Sequence, residues 1–438
     1  MSPHPNIRGQ GGPLPAPVAG ALVFIASGAV LVLEVTGLRL VAPYVGLSLS
    51  SNSAVIGVAL AAIAYGAWTG GWLADRFDPR RLLAPALLAA AAATALLLPT
   101  VRYAGQLLRG SDPGNVLLLT MLTLFLPAAL LSAVTPLVVK AQLGDLAMAG
   151  RVVGSLSGLG TVGGITATLG TGFVLVAAFP TSVILLGLCG LLTLTGAAAL
   201  GYELATRGGR PWQPGQRGAV AVVALLGVTG AGLAPVLPEP CDTETAYHCA
   251  VVTVDPQRPS GRTLWLNAAE HSYVDLADPG YLGFEYVRWI GALVDALAPA
   301  GAPIAAAHLG VGGATLPRYI EATRPGSTGV LFELDADLIT VATDRLGLRL
   351  GPRLRVVTGD ARVGVTGLGA ATMDLVIGDA FGHLAVLWHL TTAQFVAEIR
   401  RVLRPDGVYV LNLIDQPAGR FARAEAATVA SVFRYTAV

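Results

Sequence analysis

Lysine is nearly absent: Lys140 is the only one among the 28 basic residues of this 438-residue chain. Charged residues of either sign make up 13% of the sequence, and the formal net charge is +1. A chain with so little excess positive charge offers no electrostatic footprint for a polyanion, so nucleic acid is not an expected partner. Cysteine is also sparse, with three residues, so no more than one intrachain disulfide can form. Heavy use of Ala, Gly, Arg and Leu in place of Lys reads as a coding bias rather than a functional signal.

What the chain has in abundance is apolar surface. Hydrophobic residues reach 54% and mean hydropathy is +0.65, far from a soluble average, and the class expected is a multi-pass α-helical membrane protein. Residues 1–17 are polar and rich in Pro and Gly, and are expected to be disordered. Seven runs then approach the ~20 apolar residues that a bilayer requires: Val18 to Tyr44, Ala54 to Leu73, Leu82 to Thr100, Asn115 to Val139, Val152 to Phe179, Thr181 to Tyr202 and Ala219 to Leu237. The first is too long for a removable signal and reads as an anchor. The glycines of the fifth suggest close helix packing. Glu34 and Arg39 fall in or beside the first run, where ionisable groups are costly; each pairs with another helix, snorkels to the headgroups or serves a transport path. The segment Gly70 to Arg81, GGWLADRFDPRR, resembles the loop between the second and third helices of major facilitator transporters.

The arginines set an expected orientation. Arg8, Arg76, Arg80, Arg81, Lys140, Arg151, Arg207, Arg210 and Arg217 fall on one side if the runs alternate, against Arg102 and Arg109 on the other. The N-terminus is then cytoplasmic in a cell membrane, and an odd number of crossings carries the C-terminal part outside. Cys241 and Cys249 follow the last run at a spacing that could close a disulfide in an oxidising compartment; two free buried thiols are the alternative.

The remainder reads as an α/β unit: a linker and β-hairpin over residues 238–268 and a nucleotide-binding domain over 269–438. Ala246 to Val254 and Arg262 to Asn267 alternate as strands across the turn DPQRPSG. Ile304 to Leu309 runs into Gly310, Val311, Gly312, Gly313 and then the helix-competent Thr315 to Ala322, a strand, glycine turn and helix that lets backbone approach a ribose or phosphate. Val330 to Phe332 ends in Glu333 and Asp335, with Glu333 about 20 residues past the turn, where an acid grips ribose hydroxyls. Leu354 to Thr358 leads to Gly359, Asp360 and Ala361, and Asp374 to Gly378 leads to Asp379. A dinucleotide dehydrogenase has no need of the last two acids. An adenosyl-sulfonium enzyme does, for the adenine edge and the reacting centre.

Here the residues resemble the spermidine synthases, or polyamine aminopropyltransferases, especially bacterial forms fused to a membrane domain. The likeness covers about Glu244 to Asp415 and rests on Tyr247 and His248, Leu266 to Ser272, the Gly310 turn, Phe332 to Asp335, Gly359 to Arg362, Asp374 to Asp379, and LTTAQFVAEIRRVLRPDGVYVLNLID from Leu390. The fold implied is Rossmann-like and methyltransferase-type. The resemblance implies that Gly310, Gly312, Gly313, Glu333, Asp335, Asp360 and Ala361 hold the nucleoside, with Glu333 on the ribose and Asp360 on the adenine amino group. Asp379 would be the catalytic base. Tyr247, His248, His271 and Tyr281 would contact the substrate, with core packing as the alternative for the tyrosines. The co-substrate implied is decarboxylated S-adenosylmethionine, the product methylthioadenosine, the acceptor a polyamine or other amine, and no tightly bound cofactor is expected. The lipid bilayer is the expected surroundings, and a second copy of the chain a partner to be tested.

The departures are equally specific. Where the family turn reads GGGDGG this chain has Gly312; the family's glutamines correspond to His248 and His271; its LDG corresponds to Leu266, Asn267 and Ala268. The nucleoside half of a pocket is kept and the amine half altered, which leaves open a different acceptor, a related nucleoside or a binding role without catalysis. His248 and His271 have no third ligand at recognisable spacing, so no metal is expected. An extracytoplasmic α/β unit also conflicts with a co-substrate made in the cytoplasm. The chain stops at Val438 where a further strand would begin, which suggests truncation or a minimal domain with an open sheet edge.

Overall fold

A computed structural model describes residues 14–144, 146–206, 238–382, 385–415 and 417–438, with isolated positions between 223 and 236. The chain divides into two units, Met1–Pro240 and Cys241–Val438.

Among its described residues the first unit has six helices long and apolar enough to cross a membrane: α1 (Ala16–Val45), α2 (Leu49–Arg76), α3 (Pro79–Leu107), α4 (Pro113–Gln142), α5 (Ala149–Ala178) and α6 (Thr181–Thr206). Each spans the run expected for it, with α5 stopping one residue short at Ala178. Polar caps divide the apolar sequence: Ser48 and Ser51 bond reciprocally at the start of α2, and Asp78 and Asp112, each followed by Pro, open α3 and α4. Small residues then let backbones touch. A Cβ at Gly163 of α5 would lie 2.4 Å from the Phe24 carbonyl of α1, and one at Gly66 of α2 would lie 2.1 Å from the Ala129 carbonyl of α4. Lys140 pairs with Asp75 at 2.9 Å, joining the last turns of α4 and α2. Residues 1–13 lie outside the described residues, and α1 begins at Ala16, ahead of the expected Val18. The seventh expected run, 219–237, lies largely outside them too; positions 223, 225, 227, 229, 230 and 232 are helical.

The second unit opens with an antiparallel sheet of β1 (Thr243–Glu244), β2 (Cys249–Asp255), β3 (Arg258–Leu266) and β4 (Ala269–Asp275), in that order. A disulfide joins Cys241 to Cys249. The expected hairpin is therefore the middle of a larger sheet. Its first turn is shorter than DPQRPSG: only Pro256 and Gln257 form it, because the Asp255 carboxylate accepts the Gln257 N–H at 2.9 Å and Arg258 pairs with buried Asp275 of β4, drawing Arg258 to Gly261 into β3. The second turn is two residues long, with Asn267 at φ 58°, the left-handed conformation a tight hairpin needs.

Behind it lies a parallel sheet of β5 (Ala305–Leu309), β6 (Thr328–Glu333), β7 (Leu354–Thr358), β8 (Met373–Gly378) and β11 (Leu403–Leu411), in the order β11-β8-β5-β6-β7. A short pair, β9 (Phe381–Gly382) and β10 (Ala385–Val386), follows β8. Successive β5 residues face opposite ways. Ala306 joins Leu375 and Ile377 beneath α7 (Glu285–Leu297) and α8 (Thr315–Thr323). Ala307 and Leu309 join Phe332, Val376 and Phe395, the last on α11 (Ala393–Val402). Helices α9 (Ala336–Arg345), α10 (Ala361–Thr366) and α12 (Arg420–Ala430) complete the connections. This is a doubly wound, Rossmann-like sheet of the methyltransferase type. Its order reverses between β5 and β8, so the crevice for a ligand falls at the carboxyl ends of those two strands.

Candidate active site

The strands end nearly flush, with Leu309 opposite both Phe332 and Gly378 and Glu333 opposite Thr358. The loops that follow are locked to one another by backbone bonds: Gly310 N–H to Phe332 O at 2.9 Å, Gly359 N–H to Glu333 O at 2.8 Å and Asp379 N–H to Leu309 O at 2.9 Å. Gly310 sits at φ +92°, and a Cβ there would lie 2.5 Å from the Asp379 carbonyl. Only glycine satisfies both the backbone angle and the approach.

Glu333 braces this turn. Its Oε2 accepts the Val311 N–H at 2.9 Å and its Oε1 the Asp335 N–H at 3.0 Å. Burial raises its pKa, while the backbone N–H groups of Asp335, Val311 and Gly312 pull it down. Three backbone N–H groups on four lone-pair positions leave the carboxylate room for one ligand hydroxyl.

Asp379 ends β8 across the strand-order reversal. Its Oδ1 accepts the Asn412 side-chain amide at 2.8 Å and its Oδ2 the Tyr286 hydroxyl at 3.2 Å. Burial pushes its carboxyl up to about 6, against the pull of the Asn412 amide and the Tyr286 hydroxyl. Tyr286 itself is pushed well above the usual phenol range, by burial first and then by the Asp379 charge and hydrogen bond. A carboxylate with this affinity for a proton, held on two sides, can accept one from a nucleophile and release it near neutral pH.

A narrow cleft with about 20 Å³ of free space brings Asp379 together with the Gly310 and Gly312 backbone, His271, Ser272, Tyr286 and His308. The turn is clamped from the antiparallel sheet: Ser272 Oγ accepts the Gly313 N–H at 2.9 Å, and the Thr315 hydroxyl donates to Tyr273 O at 3.0 Å. Gly312 has φ +50°, and a Cβ on it would lie 2.8 Å from Ser272 Oγ and 3.1 Å from His271 Nδ1. The space a side chain would need at 312 is occupied by β4.

The remaining expected residues are dispersed. Asp335 is buried and committed elsewhere: it caps α9 through the Asp337 and Leu338 N–H groups and accepts the Thr245 hydroxyl. Asp360 caps α10, accepting the Arg362 N–H at 2.8 Å, and its other oxygen lies 3.3 Å from His389 Nε2. Ala361 packs in the core beside Phe332 and Val365. Of the four expected substrate residues, His271 alone lines the cleft. Tyr281 stacks on the Arg258 guanidinium at 3.8 Å and leans on Tyr273 at 5.7 Å between centroids. Tyr247 is 48% exposed and tilts against His248, whose Nδ1 lies 3.4 Å from the Asn267 amide. Ser272, Tyr286 and His308 of the cleft, and Asn412, which reaches Asp379, had no assigned role from the sequence. Burial holds His308 at about 4, so its ring is neutral at physiological pH. His383 lies outside the described residues.

Residues 307–411 match the model of a methyltransferase domain. The C-terminal part is similar to curated polyamine aminopropyltransferases, at 31% identity over 127 residues with that of Vibrio vulnificus, covering 28% of this chain and 42% of the relative. With that of Chromobacterium violaceum it shares 30% identity over 142 residues, covering 32% of this chain and 53% of the relative. The matches thus span about half the length of these relatives or less. A solved structure of a probable spermidine synthase from Corynebacterium glutamicum shares 30% identity, with a TM-score of 0.41, over 43% of this chain and 69% of that one.

Proposed function

We propose that this chain is a membrane-anchored aminopropyltransferase of the spermidine-synthase type, moving an aminopropyl group from decarboxylated S-adenosylmethionine to an amine and releasing methylthioadenosine. The reading is carried by Asp379: a buried carboxylate with its pKa near 6, aimed by Tyr286 and Asn412, sharing a cleft with the glycine turn at the strand-order reversal. The curated relatives, both named polyamine aminopropyltransferases, support it.

In this mechanism Glu333 takes the ribose hydroxyls and Asp360 the adenine amino group, the latter by turning from His389. The acceptor amine, with a pKa near ~10.4, arrives protonated. Asp379 removes the proton, the freed lone pair forms the new C–N bond, and the C–S bond breaks with its electron pair going to a neutral thioether. The leaving group develops no negative charge, so alignment and a proton acceptor contribute more than an oxyanion hole would. The apolar helices hold the enzyme in the bilayer with its N-terminus cytoplasmic; the Cys241–Cys249 bond favours an oxidising compartment for the second unit, a placement that requires the odd number of crossings that the seven apolar runs of the sequence would give and that six crossings would not.

One observation favours a second reading, a non-catalytic amine- or nucleoside-binding or transport-coupled module. Position 312 carries no acid, and Ser272 and His271 fill the space one would need. Calorimetry with methylthioadenosine and with polyamines, followed by a turnover assay with decarboxylated S-adenosylmethionine, separates the two. Nucleoside binding with turnover upholds the enzyme, binding of nucleoside or amine without turnover the module, and binding of neither rejects both.

A further inference from the structure

A second hollow, of about 280 Å³, lies in the α/β unit away from the Gly310 turn. Its lining includes Ala306 on β5 and Gly329 on β6, with the Leu354 side chain of β7 lying against the glycine. Its walls are α8, through Ile320 and Glu321, and the loop before β7, through Arg349 and Arg353. The size is at the low end of small-molecule sites, which begin near ~300 Å³.

The local charge is one-sided. Between Asp344 and Asp360 the chain carries Arg345, Arg349, Arg353 and Arg355 and no acid. Arg345 is taken by Asp242 at 2.7 Å. Arg349 and Arg353 are exposed and make no ion pair among the described residues. Arg318, buried on α8, stands close enough to feel both Arg349 and Glu321, and it donates to Asp275 O at 2.8 Å. Glu321 is the only acid on the hollow's lining, against two guanidinium groups, and the exposed Thr328 adds a hydroxyl. Two planar forks beside a hydroxyl match the several acceptor oxygens and double charge of a phosphate group better than a single carboxylate.

At its inner end the hollow reaches His308 and Pro317, both of which also line the Asp379 cleft. We propose that this hollow is a binding site for a small phosphate-bearing anion, held by Arg349, Arg353 and Thr328, with His308 as the wall it shares with the candidate active site. The site is independent of the aminopropyl reaction and would exist in the non-catalytic reading as well.

The test uses the full chain in nanodiscs of phosphatidylcholine, titrated calorimetrically with inorganic phosphate and with glycerol 3-phosphate. Saturable binding is expected, weakened about tenfold or more in the Arg349→Gln/Arg353→Gln pair, the scale of losing charged hydrogen bonds. Methylthioadenosine binding, measured on the same samples, should not change in that pair, which also shows that it is folded. The Arg349→Lys/Arg353→Lys pair, which keeps charge but loses the forks, should bind more weakly than the parent and more tightly than the Gln pair. Absence of saturable binding, or parental affinity in the Gln pair, overturns the proposal. Repeating the titration with phosphatidic acid in the nanodisc identifies the source. Competition points to a lipid headgroup and its absence to a soluble ester, and both uphold the site.

Discussion

Tyr286→Phe isolates one hydrogen bond and gives the sharpest test of the proposed chemistry. The parent carboxyl titrates near 6 because burial, which raises it, outweighs the Asn412 amide and the Tyr286 hydroxyl, which lower it. At pH 7 it is roughly nine-tenths ionised and available as a base. Both donors stabilise the charged form, so removing the phenol hydroxyl must move the pKa further up. A hydrogen bond to a charged group contributes about 1.5 to 3 kcal/mol, and one pKa unit is about 1.4 kcal/mol. The 3.2 Å length places this bond at the weak end, so a rise of about one unit is expected. The acid limb of the kcat profile should move from near 6 to near ~7. Turnover should then fall several-fold at pH 6 and recover at pH 8.5. A variant whose profile keeps its parental midpoint, or whose rate falls equally at every pH, would refute the assignment of Asp379 as the titrating base.

Four further outcomes can be measured. Asp379→Asn should lower turnover by ~10²- to 10⁴-fold at pH 7 while methylthioadenosine affinity stays within a few-fold; retained turnover removes the role. The same substitution should stabilise the fold. The native carboxyl is raised from 3.8 to about 6, so its contribution is present below pH ~3.8 and lost as pH rises through ~6, a cost of about 3 kcal/mol above that. The variant's gain in thermal midpoint should therefore be seen at pH 8 and vanish at pH 4. Gly310→Ala should abolish nucleoside binding and cost roughly 1 to 3 kcal/mol from backbone strain alone, read by calorimetry and melting; parental binding would contradict the closeness of the Asp379 carbonyl. Finally, Gln257→Cys in a Cys189→Ala background, treated in intact cells with an impermeant thiol reagent, should label; protection would put the second unit in the cytoplasm.

The parts of this architecture legible in the sequence are those written in short stretches. The Gly310 turn, the four strand ends and Asp379 each declare themselves within ten residues, because a parallel strand followed by a glycine turn is a local code. The same locality misled at Asp335. An acid two residues after a strand reads equally well as a ligand or as a helix cap, and here the free N–H groups of α9 take it. Tyr281 looked like a wall for an amine, but Arg258, drawn in by Asp275, claims its ring face. Tyr286 and Asn412 were invisible for the opposite reason. They reach Asp379 from 93 and 33 residues away, and nothing near either residue signals the meeting. His308 gave no signal either, since a lone histidine in an apolar strand does not show which cavity it borders. The glycines of α5 were readable as packing, although which helix each would touch was not.

The glycine turn and β4 hold each other through Ser272 and Thr315, so the antiparallel sheet and the turn form one mechanical piece. Anyone building a chimera with another protein of this fold should cut upstream of β1, never in the stretch between β4 and β5. A graft that exchanged the second sheet alone would bring in a loop whose partners had stayed behind on the donor.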